Sequence, residues 1–477
     1  MFINLFNMSQ SIIFGYDVVT YNGVIPNCLN PKFLNTIYKA SDFYFENSGE
    51  AFSKTWNITW PVYNSNFYQK ISQNKSVYEI VNDRKNGINY DWFYIIEPFG
   101  NIENFFGNNA PYDFSLDLIS NTSLNEIKNY NGKLFINYII DGGLGINLEN
   151  FNKIINFLKE KEIPNEKVYF IFQDFKLKEN FEKLDLKYNV LDFNLALISK
   201  SQEFNNQIND PNWSYWGEGS HEPQVGKIQS KSSGICSYDE YEKNIETDKK
   251  DFLLLNRHWK LHRLLLLSEL HKLGLDNNLV SWDNSFYDEH TINEFLKYDE
   301  NYKFADLLKN ESRIVDIENL TKIAGYGFES KEPYIQTYIS IVTESIFFQS
   351  LNGENEFQSG YLSEKIWKPI GHCQPFILAA PPKSLQYIRN RFGFKTFHPF
   401  IDESYDLVED DFKRLEMIKE QIVLFSNKTK EEKIQFLNDV KDIVKYNQDR
   451  FLEFGKDYNF ELSKVINFLL NNSKSII

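Results

Sequence analysis

The sequence predicts an α/β protein with two parallel-sheet domains, and three observations lead there. At 477 residues the chain exceeds what one hydrophobic core supports, so two or three domains are expected. From Asn89 to about residue 200, short continuous apolar runs alternate with amphipathic segments, the pattern of strands covered on both faces by helices. The same texture starts again at Phe252-Leu-Leu-Leu-Asn256.

Residues 1–86 are aromatic-rich and weakly periodic, with strand-like runs at Ile12–Phe14 and Trp56–Tyr63, and read as an accessory lobe of β-rich or mixed character. In the first α/β domain, 87–200, the apolar runs Trp92–Ile96, Lys133–Ile140, Lys167–Phe172 and Tyr188–Leu191 read as strands, and Leu148–Lys159 and Lys176–Leu184 as helices. The loop Asp141-Gly-Gly-Leu-Gly145 lets a backbone approach a ligand closely, but it lacks the third glycine of a dinucleotide fingerprint, and an ordinary turn explains it equally well. Residues 201–250 are polar and read as a linker; its run Trp213-Ser-Tyr-Trp216 either packs on a domain or stacks on a sugar face.

The second α/β domain, 251–402, opens with the strand Phe252–Asn256 and continues through an amphipathic helix to Leu273 and a strand at Leu279–Trp282. The run Tyr334–Val342 alternates β-branched or aromatic residues with small polar ones, which makes it a strand with Thr343, Glu344 and Ser345 at its carboxyl end. Ser363-Glu364-Lys365 opens a short helix that Pro369 begins to close, and Pro375–Ala379 is the next strand. Residues 403–477 are helical and charged, with helices at Asp410–Ser426, Lys430–Leu452 and Ser463–Leu470.

Composition narrows the function. The chain is 42% hydrophobic, and its net charge of −15 argues against nucleic acid as a main partner, since phosphate-backbone binding needs clustered Lys and Arg. Cys28, Cys236 and Cys373 are far apart and odd in number, which fits a reducing compartment without disulfides. The N-terminal segment has no basic region followed by a continuous apolar core, so neither a signal peptide nor a transmembrane anchor is expected, and a cytoplasmic location is. There is no HExxH, CxxC, GxSxG or P-loop, and His258, His262 and His271 read as solvated or phosphate-contacting rather than as zinc ligands, so no metal is expected.

Two stretches carry the candidate chemistry. Open α/β sheets bind ligands at the carboxyl ends of their strands, where helix N-termini offer unpaired N–H groups and partial positive charge. Glu364 and Lys365, at such a helix start, are placed to meet a ribose hydroxyl and a phosphate. Arg257-His-Trp-Lys260-Leu-His-Arg263 puts several basic residues at the next such position, either as a local anion site or as a solvated helix face.

The pair Glu344-Ser345 at a strand end, a variable loop, and then Tyr361-Leu-Ser-Glu364-Lys365-Ile-Trp-Lys-Pro369 resembles the donor-binding motif of α1,3-fucosyltransferases and of fucosyltransferase-like enzymes from bacteria and large viruses. Pro375-Phe-Ile, Ser384-Leu, Gly393-Phe-Lys-Thr-Phe397 and Asp402-Glu-Ser-Tyr-Asp406 extend the resemblance, which spans roughly Phe252 to Asp406. The chain departs from the family pattern where Ser345 stands for an Asn-Ser pair and where a longer loop precedes Glu364-Lys365.

The resemblance implies a GT-B fold, in which two Rossmann-like domains face a cleft, and a metal-independent, inverting transfer of a sugar from a GDP-linked donor to a glycan or other hydroxyl acceptor. It implies donor contacts by Asn256, Arg257, Arg263, Glu344, Ser345, Tyr361, Glu364 and Lys365, with Arg263 or Arg257 meeting the phosphate. An acceptor base is then required on the first domain. Glu97, which follows Trp92–Ile96 and precedes Pro98, and Asp141, at the end of the next strand, are the two candidates, although each also suits a structural cap. A carbohydrate-binding protein without turnover on the same scaffold is the competing expectation. A nicotinamide enzyme built on the Asp141–Gly145 loop is a weaker one.

Overall fold

The computed structural model describes residues 12–16, 72–96, 116, 119–138, 148–209, 234–256, 258–315, 331–349 and 359–456, and from the following stretch 464–465, 467–469 and 471. The expected strand Trp56–Tyr63, the loop Asp141–Gly145 and the aromatic run 213–216 lie outside them. The chain divides into two units: Met1–Leu195 with Glu356–Ser359 and Asn459–Ile477, and Ala196–Asn355 with Gly360–Tyr458. Each unit contains one parallel sheet flanked by helices, an architecture of the Rossmann-like α/β class.

The first sheet has six strands in the order β2-β1-β3-β4-β5-β6: β1 (Ile12–Tyr16), β2 (Ser72–Ser76), β3 (Trp92–Ile96), β4 (Gly132–Tyr138), β5 (Val168–Phe172) and β6 (Asn189–Asp192). All its pairings are parallel, and the strand order reverses between β1 and β3. Helices α1 (Val77–Lys85), α2 (Asn121–Asn129), α3 (Leu148–Glu160) and α4 (Leu177–Lys183) make the crossovers. Ile80, Trp92, Leu134, Ile136, Phe151, Ile154, Phe170 and Phe181 lie in one buried cluster. A Cβ added at Gly15 would come within 2.3 Å of the Trp92 ring and one at Gly132 within 2.8 Å, so both neighbouring strands need glycine beside this indole.

The sequence reading placed residues 1–86 in a separate lobe. Instead β1 pairs in register with β3, Ile13 opposite Trp92, and β2 pairs with β1, so these strands extend the first sheet. The segment assigned to the linker also starts as helix α5 (Leu195–Asn209), whose residues from Ala196 belong to the second unit. A short helix α6 (Tyr238–Lys243) follows, fixed by a capping box between Ser237 and Glu240.

The second sheet has four strands in the order β10-β9-β7-β8: β7 (Lys250–Leu255), β8 (Leu279–Ser281), β9 (Thr337–Thr343) and β10 (Phe376–Ala379). These are parallel, and the order reverses between β7 and β9. α7 (Leu261–Lys272) follows β7. α8 (Glu289–Tyr298) and α9 (Tyr302–Asn310) follow β8, α10 (Glu332–Ile335) precedes β9, and α11 (Glu364–Gly371) precedes β10. α11 continues to Gly371, beyond Pro369, and its apolar face buries Ile366, Trp367 and Ile370. A short α12 (Ser384–Tyr387) leads to α13 (Asp411–Ser426) and α14 (Lys430–Lys456), which complete the second unit. α14 packs on α11, and Gln448 donates to the carbonyls of Gly371 and Cys236 at 2.6 and 2.9 Å. Among the described residues no helix is long and apolar enough to cross a membrane.

Cys236 and Cys373 are both buried, lining a small cavity at the end of the second sheet opposite the candidate site. Burial pushes the Cys236 thiol up to about 12 and the Cys373 thiol well above its ordinary range, leaving little thiolate to react. Native protein at pH 8 should therefore resist iodoacetamide at both cysteines, while denatured protein is alkylated at both. Peptide mapping checks this, and rapid labelling of either thiol in the native state would show that it is accessible.

Candidate nucleotide site

The carboxyl ends of β7 and β9 flank the point where the strand order of the second sheet reverses, which is where open α/β sheets leave a crevice. β7 delivers Asn256, whose backbone N–H still reaches the Ser281 carbonyl at 3.2 Å and whose Oδ1 accepts from the Thr343 hydroxyl at the end of β9. Asn256 is buried, and its Nδ2 has no hydrogen-bond partner among the described residues.

Glu344, the residue after β9, is fully buried. Its Oε2 accepts from the Ser363 N–H at 3.1 Å and the Ser363 hydroxyl at 2.6 Å, while Oε1 has no partner. Burial pushes this carboxyl up from its ordinary range, against the opposing pull of Lys365 and Ser363. Ser363 is the N-cap of α11, with its Oγ accepting from the Lys365 N–H at 3.3 Å, so the strand tip and the helix start are bonded into one corner.

Lys365 projects from that corner. Its Nζ donates to Glu364 Oε1 at 2.9 Å, to Ser363 Oγ at 3.1 Å and to Ser345 Oγ at 3.3 Å, and the side chain keeps 28% of its surface exposed. Burial acts to raise Glu364, but the ammonium groups of Lys365 and Lys368 outweigh it and hold this carboxyl below the ordinary carboxylate range. Tyr361 is buried in the approach to α11, and Ser345 is half-buried.

The second helix start is differently built. Arg263, in the first turn of α7, is only 3% exposed. Its guanidinium donates to the carbonyls of His258 at 2.8 Å, Thr343 at 2.9 Å and Glu344 at 3.1 Å, while Nε has no partner. Burial lowers it to about 10, so it keeps its charge at neutral pH. His262 is buried beside it, with Nε2 at 3.0 Å from the Glu344 carbonyl, so that nitrogen carries the proton; its ring stacks on Phe347 at 5.1 Å. Burial and then Arg263 keep His262 well below its ordinary value, hence neutral. The loop after Glu344 is anchored in turn by Arg414, which donates to the Phe347 carbonyl at 2.8 Å and pairs with Asp411.

Lys260, the N-cap residue of α7, is exposed, and its ammonium makes no hydrogen bond or ion pair with a described residue. Local desolvation, then Arg263, then Lys365 lower it, and His258 is lowered by desolvation and then by Arg263, Lys365 and Lys260. The cations Lys260, Arg263 and Lys365 thus repel one another across two helix N-termini and keep His258 neutral, and a bound anion relieves that repulsion.

Of the residues expected from the sequence, the structure brings together Asn256, Arg263, Glu344, Ser345, Tyr361, Glu364 and Lys365 at this edge. Glu97, Asp141 and Arg257 lie outside the described residues. Arg263, which with Arg257 was one of two candidates for the phosphate, donates to three carbonyls and ties α7 to the end of β9. Three roles went unread in the sequence: Ser363 as the hub between Glu344 and Lys365, Thr343 as the partner of Asn256, and Lys260 as the unpaired cation. Ser363 was recoverable, because a serine immediately before a helix-opening Glu-Lys is an N-cap signal. Among the described residues no group of three or more His, Cys, Asp or Glu side chains could hold a metal ion. Comparison with protein-family models, with curated proteins and with solved structures finds no match.

Proposed function

We propose that this chain is a glycosyltransferase of the two-domain GT-B type, which binds a nucleoside-diphosphate sugar at the carboxyl edge of the second sheet and transfers the sugar to a hydroxyl acceptor held by the first unit. The observation that carries the reading is the meeting of Lys260 and Lys365 at two helix N-termini, over a floor whose buried Asn256 Nδ2 and Glu344 Oε1 have no partner among the described residues. Cations and N-terminal N–H groups suit the negative charge that builds on a leaving diphosphate, and Glu364 is placed to accept from a ribose hydroxyl.

In the proposed reaction the acceptor oxygen attacks the anomeric carbon as the bond to the diphosphate breaks. The acceptor proton passes to a carboxylate, Glu97 or Asp141, and the electron pair of the broken bond leaves on the diphosphate, which Lys365 and Lys260 stabilise. By resemblance the donor is GDP-linked, with fucose among the candidate sugars.

A thermal-shift panel of GDP-, UDP-, dTDP- and CMP-linked sugars tests the donor class, because a ligand at 100 times its dissociation constant stabilises by about 2.7 kcal/mol. Absence of protection by all four would overturn the nucleotide-sugar reading. Protection without product formation on any acceptor would favour a carbohydrate-binding protein without turnover. Lys365→Ala should weaken the stabilising donor about 10- to 150-fold, the range for one charge-assisted contact, with the free protein still folded. Unchanged donor affinity in this variant would take α11 out of the site.

A further inference from the structure

We propose that His258 and Phe286 form the stacking platform for the planar base of a nucleotide whose phosphates lie between Lys260 and Lys365. The inference rests on the nucleotide reading of this edge and adds the position of the base.

Phe286 ends a short 3-10 turn, Asn284–Phe286, that follows β8, and β8 is the neighbour of β7 in the sheet. Its ring lies 4.0 Å from that of His258, centre to centre, with the planes tilted by 51°. His258 is exposed and Phe286 half-buried, so the pair offers an open aromatic surface rather than a closed core contact. Among the described residues no polar group pairs with the His258 ring, and its depressed proton affinity leaves it uncharged at neutral pH, which suits stacking against a neutral base.

Both halves of the platform are held in place. The His258 carbonyl accepts from Arg263 at 2.8 Å. The Phe286 turn is capped by Asp283, which accepts from the Ser285 N–H at 2.9 Å, and is tied to Ser312, which accepts from the Asn284 N–H at 2.9 Å. Trp259 and Tyr287 meet edge to face at 5.4 Å, giving the same two segments a second contact. An anchored aromatic surface loses little side-chain freedom when a ring settles on it.

The order along the sheet edge matches the order of groups in a nucleotide. Lys365 follows β9, Lys260 follows β7, and the His258–Phe286 pair spans the ends of β7 and β8. β9 to β8 is two strand spacings, about 10 Å, so charge collects at one end of the edge and aromatic surface at the other. A free phosphate or pyrophosphate uses only the first of these. A nucleoside diphosphate uses both.

The test is calorimetric titration of the full chain with GDP, UDP and inorganic pyrophosphate, repeated with His258→Ala, His258→Phe, Phe286→Ala and Phe286→Leu. His258→Ala and Phe286→Ala should weaken the better-bound nucleotide about 5- to 150-fold, the range for removing one base-stacking ring, and leave pyrophosphate within about twofold. His258→Phe should restore most of the loss, since it keeps a ring and drops the imidazole nitrogens. Phe286→Leu keeps the volume that supports the turn and should still weaken the nucleotide. Equal losses for nucleotide and pyrophosphate, unchanged nucleotide affinity in both alanine variants, or no rescue by phenylalanine would each overturn the platform while leaving the anion site standing. If the wild type binds pyrophosphate but neither nucleotide, the platform is likewise overturned. If it binds none of the three, the nucleotide reading fails with it.

Discussion

Arg263→Ala is expected to destabilise the second unit by about 3 kcal/mol, the lower end of the cost of removing one member of a buried charged network, and to lower its melting temperature by roughly 6–12 °C. The guanidinium supplies donors to three carbonyls at the ends of two segments, and without it those oxygens lose their donors and the fully buried Glu344 keeps only Lys365 as a nearby positive charge. Arg263→Lys should recover little, because one ammonium cannot present a planar fork to carbonyls from His258, Thr343 and Glu344 together. Differential scanning calorimetry of the free protein decides the matter. An unchanged melting temperature accompanied by weaker nucleotide binding would mean that Arg263 serves the ligand and not the fold.

Glu97→Gln should slow sugar transfer by about 10²- to 10⁴-fold while donor affinity stays unchanged, the signature of a lost general base. Asp141→Asn is the parallel variant, and only one of the two should show the full effect. The proposed single displacement also requires the anomeric configuration to invert, which NMR of the product reads directly. Retention of configuration, or full activity in both variants, would move the chemistry to other residues or to another reaction. Because Lys365 stands at a different place in the proposed cycle, its alanine variant should weaken donor binding, a pattern the carboxylate variants should not share.

How much of this was legible in the sequence depended on whether burial and pattern coincided. β3 was read to the residue, because Trp92-Phe-Tyr-Ile-Ile96 is a continuous apolar run in a sheet covered on both faces. β2 was missed, since Ser72-Gln-Asn-Lys-Ser76 carries no hydrophobic signal at all; it is an edge strand among the described residues, paired on one side only. Without β2, the short β1 had no visible partner, and the first 86 residues looked like a separate lobe. α5 was hidden by its polar composition. Ser201, Lys200, Glu203 and Asn205 are nonetheless buried, Asn205 donates to the Leu452 carbonyl at 2.7 Å, and a Cβ at Gly455 would lie 2.3 Å from the Ser201 carbonyl oxygen, so polar side chains here serve a close helix contact. At the site, the spacing of Glu344, Glu364 and Lys365 was legible because all three flank strand and helix ends. The inward turn of Arg263 was not, since a basic residue in the first turn of a helix looks the same in sequence whether it meets solvent, a phosphate or three carbonyls.

The return of residues 459–477 to the first unit bears on how the chain assembles as it is made. Val465 and Leu469 are buried, and the Phe468 ring meets Tyr169 of β5 edge to face at 5.7 Å. These side chains are translated roughly 270 residues after Leu195, where the main stretch of the first unit ends, a delay of tens of seconds at ordinary elongation rates. Almost all of the second unit emerges in that interval as one nearly continuous stretch. Its core can therefore consolidate before Tyr169 is covered by Phe468, so the unit begun first is the one finished last.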